Sequence, residues 1–203
     1  MWGDIMDYFK CYIKDHFFAF CLSLGIWITC VLLGSFAALG ADSNSARDTD
    51  LYIQSIVNDR QGYFEVLING ITNNFWHTLI LCASSSFLIL LPCTLFLIAF
   101  KGFSTGFSAS FIIRLYALKG VAATIAAVVM PLCFSLPVYF VMYISSMEFP
   151  LNTFRLRKEI SSSERWRMYL YHTAKLFVLF MILNVITSVE AFLSPKLFGV
   201  LKG

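Results

Sequence analysis

The side chains with the most chemical reach in this sequence are three histidines (His16, His77, His172), six cysteines, and Arg114 and Glu190, two charges set within apolar surroundings. Imidazoles and thiolates at short spacing would hold a metal, and a carboxylate inside an apolar helix would relay protons. The spacing does not supply the first chemistry. The histidines stand far apart, none paired with another His or Cys at ligand spacing, and Cys11, Cys21, Cys30, Cys82, Cys93 and Cys133 form no CxxC pair. All but Cys11 fall in apolar runs, where a thiol packs as a small hydrophobe. HExxH and GxxxxGK[ST] do not occur, so no zinc helix or phosphate loop is expected, and Gly102-Phe-Ser-Thr-Gly106, which has the letters of GxSxG, is read as a helix-contact surface. The reading at this level is a non-enzyme with no catalytic residue, cofactor or metal, and no basic-aromatic surface suited to nucleic acid.

The elements that must carry these residues are membrane helices. The chain of 203 residues is 59% hydrophobic and 13% charged, a composition that excludes an ordinary soluble domain and indicates an all-α polytopic bundle. Five apolar stretches are expected to span, at 17–39, 75–100, 103–118, 120–146 and 172–193, since a helix needs roughly 17–25 residues to cross. Residues 17–39 also end in Ala38-Leu39-Gly40, which looks like a leader cleavage site; their length and mixed-charge flank favour a retained anchor. Residues 1–15 show helical apolar spacing and are expected to lie as a helix in the membrane interface, in contact with lipid. An outer segment at 42–74 and a basic cytosolic loop at 147–171 complete the plan. Within that loop Ser161-Ser-Ser-Glu164 reads as a helix start.

Packing rests on small residues and prolines. Gly102 and Gly106 form a small-xxx-small contact surface, and Gly120 opens the fourth span. Pro131 and Pro137 are expected to kink that span, as Pro92 is expected to kink the second. Asn69, Asn73, Asn74 and His77 read as the interfacial rim of the second span, Lys101 as its far boundary and Glu190 as an interfacial residue near the outer end of the fifth. No polar cluster is expected at the midplane. Arg114 interrupts the short third span and is a candidate intramembrane partner for Glu190. With five crossings and the N-terminus inside, eight basic residues fall inside (Lys10, Lys14, Lys101, Arg155, Arg157, Lys158, Arg165, Arg167). Five fall outside (Arg47, Arg60, Lys119, Lys196, Lys202), which agrees with the positive-inside bias and places the C-terminus outside.

The order of motifs, Asn73-Asn74, Lys101-Gly-Phe-Ser-Thr-Gly-Phe, Lys119-Gly120, then Val129-Met-Pro131 and Pro137-Val-Tyr139, resembles the stage II sporulation protein M family across most of the chain. The resemblance implies an integral protein of the bacterial cell membrane that acts in engulfment of the forespore. It further implies a scaffold that brings the peptidoglycan-degrading stage II sporulation proteins P and D to the septum. Two other readings stand beside it: a transporter or permease subunit, and a family member in a bacterium that does not sporulate.

Overall fold

The computed structural model describes residues 16–40, 63–155 and 161–198, and every regular element among them is helical. Five α-helices follow in order: α1 (Phe17–Leu39), α2 (Tyr63–Ser86), α3 (Leu91–Thr124), α4 (Met130–Arg155) and α5 (Ser162–Phe198). Among the described residues four stretches are long and apolar enough to cross a membrane, Phe17–Leu39, Leu88–Ala122, Met130–Phe154 and Ser162–Phe192. Helix α2, which carries Asn69, Asn73, Asn74 and His77, is not among these four. The expected interfacial helix at 1–15, most of the outer segment and part of the basic loop lie outside the described residues.

The bundle buries polar groups and presents apolar ones. Ser23, Asn74, Ser84, Ser85 and Thr94 are buried, whereas Phe18, Phe36, Phe96, Phe134 and Val185 are exposed. That arrangement suits lipid, where burying apolar surface gains little and each backbone or side-chain polar group needs an internal partner.

Contacts fix the direction of each helix. Helices α1 and α3 run the same way, since Gly102 sits at Trp27, Gly106 at Val31 and Arg114 at Leu39. Helix α4 runs against α1: Phe140 meets Phe20 and Trp27, Met147 accepts from Ser23, and Glu148 contacts His16. Helix α2 runs against α5, with Gly70 beside Thr187, Phe75 against Phe180 and Ser86 bonded to Tyr169. One end of the bundle therefore gathers His16, Ser86, Glu148 and Tyr169. The other gathers Leu39, Gly70, Arg114 and Thr187. Between them lies a core of Leu81, Ile98, Phe140, Met142, Tyr143 and Leu176.

Two breaks set this topology, and neither falls where the sequence suggests. Phe87 is extended (φ −131°, ψ 125°) and a 3-10 turn, Leu88–Leu90, follows, so residues 75–100 are not one helix. Pro92 sits in the first turn of α3, where its missing N–H would have no helical partner; it starts a helix and does not kink one. Ser84 and Thr94 close this corner through their hydroxyls, 2.8 Å apart. The second break is Ala117, the one non-glycine described at positive φ (48°). The chain reverses there: Thr124 Oγ1 donates to Ala109 O at 3.3 Å, although fifteen residues of straight helix would separate them by about 22 Å. Gly120 permits the reversal, because a Cβ there would lie 2.5 Å from Ile112 O. The third span is thus not the short 103–118 segment; its helix begins at Leu91.

Beyond the reversal, a π-helical turn, Ile125–Val129, leads into α4, whose second residue is Pro131 and whose interior holds Pro137 and Pro150. Helix α5 opens on a reciprocal cap in which Ser161 N–H donates to Glu164 Oε2 (3.0 Å) and Glu164 N–H donates to Ser161 Oγ (3.3 Å). It continues to Phe198, past the Ser194-Pro195 at which the sequence suggests an end.

Candidate functional site

Two features stand out, a closed seam and an open cavity. The seam joins α1 to α3. A Cβ on Gly106 would collide with the Val31 backbone, one on Gly102 would lie 2.6 Å from Trp27 O, and one on Gly34 would strike the Phe103 backbone. Only hydrogen at these positions lets the two backbones touch, and Ser35 Oγ adds bonds to Val31 O (2.9 Å) and Gly106 O (3.4 Å). At the seam's end Arg114 donates through Nη1 to Ala38 O (2.9 Å) and Leu39 O (3.1 Å). It caps the last carbonyls of α1, where the helix dipole is negative.

The cavity, about 330 Å3, lies between α2, α3, α4 and α5. Each helix contributes a stripe at helical spacing: Gly70, Asn73 and Asn74; Lys101, Ser104, Thr105 and Ser108; Pro131, Ser135 and Tyr139; Thr187, Glu190 and Ala191. Its floor is a hydrogen-bonded network. Tyr139 OH donates to Asn74 Oδ1 (2.8 Å), and Asn74 Nδ2 donates to Thr187 Oγ1 (2.8 Å) and Asn184 Oδ1 (3.4 Å). Lys101 Nζ donates to Tyr139 OH (3.4 Å) and also stands 4.7 Å from the centre of the Tyr139 ring. A charge at mid-helix costs roughly 2.5–3.5 kcal/mol on insertion scales, and the hydroxyl and the ring face offset part of that. One turn along, His77 Nε2 and Tyr143 OH are 2.8 Å apart.

The structure distributes the sequence candidates between the two features. Gly102 and Gly106 are in the seam, Arg114 is at its end, and Gly120 is at the reversal. Pro131 and Glu190 line the cavity, and Pro137 lies in α4 two residues before Tyr139. No polar midplane cluster was expected from the sequence; the structure joins Asn74, Lys101, Tyr139 and Thr187 in a polar cluster inside the bundle. The cue that could have found it is the Asn73-Asn74 pair, whose amides are poor choices for an interfacial belt when a proline-interrupted helix must pass beside them. Among the described residues no group of three His, Cys, Asp or Glu could hold a metal ion.

A family model described as Stage II sporulation protein M matches residues 17–195. No curated protein and no solved structure matches the chain.

Proposed function

Because the chain belongs to the stage II sporulation protein M family, we propose that it is a sporulation-related membrane scaffold, without enzymatic activity, that recruits cell-wall-degrading enzymes to the septum during engulfment. The observation that carries this reading is the α1–α3 seam, where three glycines bring two backbones into contact and leave the outward faces of both helices apolar. A scaffold needs firm helix contacts and free surfaces. By the family resemblance, the enzymes held would be stage II sporulation proteins P and D.

In this reading α2 is a fifth crossing, more polar because the bundle surrounds Asn74 and His77. Alternating helix directions support it, as does the position of Arg165 and Arg167 in the first turns of α5, at the end that holds His16. The positive-inside bias makes that end cytosolic. The N-terminus then lies inside, the C-terminus outside, and residues 41–62 outside, within reach of wall enzymes. The test replaces residues 42–62 with an unrelated polar linker in an endospore-forming host lacking its own family member. Loss of septal recruitment of proteins P and D at unchanged membrane level supports the scaffold; normal recruitment of both refutes this surface as their docking site.

The polar cavity favours a second reading, a permease-like protein that passes a small solute. Substrate-dependent flux in liposomes would support that reading over the scaffold.

A further inference from the structure

The cavity has a chemical character that neither a packing role nor a scaffold requires. Among the described residues its wall carries one cation, Lys101, and one carboxylate, Glu190; the other polar groups there are amides and hydroxyls. The two charges face the same space without ion-pair contact between them: the ammonium bonds Tyr139, and no salt bridge joins it to Glu190 among the described residues. Opposite charges that line one cavity without touching each keep capacity for a ligand group of the opposite sign.

The network also holds the cation in place. Asn74 uses both amide hydrogens on α5 and its oxygen on Tyr139, which fixes the phenol that receives Lys101. An ammonium has three donors and Tyr139 takes one, so Lys101 keeps capacity for an anion. A ligand of net charge would leave either Lys101 or Glu190 unmatched in a low-dielectric site, at substantial cost. The volume, about 330 Å3, is at the small end of ligand pockets.

We propose that this cavity binds a compact zwitterion, its anionic group on Lys101 and its ammonium on Glu190. Two sources carry that chemistry: a free amino acid, or the phosphoethanolamine headgroup of a membrane lipid. The inference stands apart from the scaffold reading, since it requires neither recruitment nor flux.

The test uses the full-length protein in nanodiscs of phosphatidylglycerol alone, titrated calorimetrically with glycine, L-alanine and glycerophosphoethanolamine, whose phosphodiester keeps it net neutral. Propionate and ethylamine, each carrying one of the two charges, serve as controls. The expected result is binding of at least one zwitterion, about tenfold or more weaker binding of both controls, and a similar loss in Lys101→Gln and in Glu190→Gln. Repeating the titration in nanodiscs containing phosphatidylethanolamine separates the sources: abolished binding of the free zwitterion marks the lipid headgroup as occupant, and unchanged binding marks the free solute. A second readout needs no change to either charge. In Ser135→Cys, modification of residue 135 by a water-soluble thiol reagent, followed by peptide mass spectrometry, should slow when the zwitterion is present. Controls that bind as well as zwitterions, or no binding together with no protection at residue 135 in either lipid, would overturn the proposal.

Discussion

The seam between α1 and α3 and the cavity wall between α2, α4 and α5 hold helices together by opposite means. The seam removes side chains until backbones touch, and Gly34, Gly102 and Gly106 leave no room for a methyl group. The wall inserts long polar side chains, and Asn74, Tyr139 and Thr187 hold neighbours through hydrogen bonds while a space stays open beside them. Without a hydrophobic force between helices in lipid, close packing and polar contacts are the two available attractions. The first makes a joint that can hold nothing else. The second makes one that can also receive a ligand, which is why the chemistry gathers on one side of α3 and the rigidity on the other.

Substitutions should separate the two regions by size of effect. Gly106→Leu forces backbones apart and should cost about 3 kcal/mol or more, read as a large fall in the unfolding midpoint in detergent micelles; a shift no larger than that of a cavity variant would break the contrast. Asn74→Leu removes three hydrogen bonds and leaves Tyr139 and Thr187 short of partners. At about 0.6 kcal/mol per intramembrane bond it should cost ~2 kcal/mol, with the double-mutant cycle against Tyr139→Phe showing coupling. Ser161→Ala breaks the cap of α5 and should cost about 1 kcal/mol, confined to faster amide exchange at the start of that helix. The smallest effect should come from Gly25→Ala. An added Cβ there meets nothing within 4 Å, so the change should stabilise α1 by roughly 0.5–1 kcal/mol or less, against the large penalty at Gly106.

How much of this was legible varies with the physical cue. The Gly102-Gly106 spacing marks a contact face because small residues are informative wherever helices meet in lipid. Ser161-Ser-Ser-Glu164 marks a helix start because capping is local. The cavity was hidden by one misplaced boundary. Residues 75–100 form a continuous apolar run, and hydropathy does not register that Phe87 is extended. Once α2 is known to begin at Tyr63 and α3 at Leu91, Asn74 becomes the twelfth residue of its helix and Lys101 the eleventh of its own. Residues read as edges become interior ones, and the polar cluster follows. The reversal at Ala117 carried no signal of its own, since an alanine at positive φ is disfavoured and Gly120, three residues on, serves the close approach and not the turn.

The central claim is that alternating passes place the Ala117 reversal and the start of α5 on opposite faces of the membrane. Leu118→Cys and Ser162→Cys, each read by site-specific modification with a membrane-impermeant thiol reagent on intact cells, test it most directly. Both positions are exposed in the bundle. The account predicts modification at 118 from outside, with 162 reacting only after the membrane is opened; modification of both from the same side would contradict it.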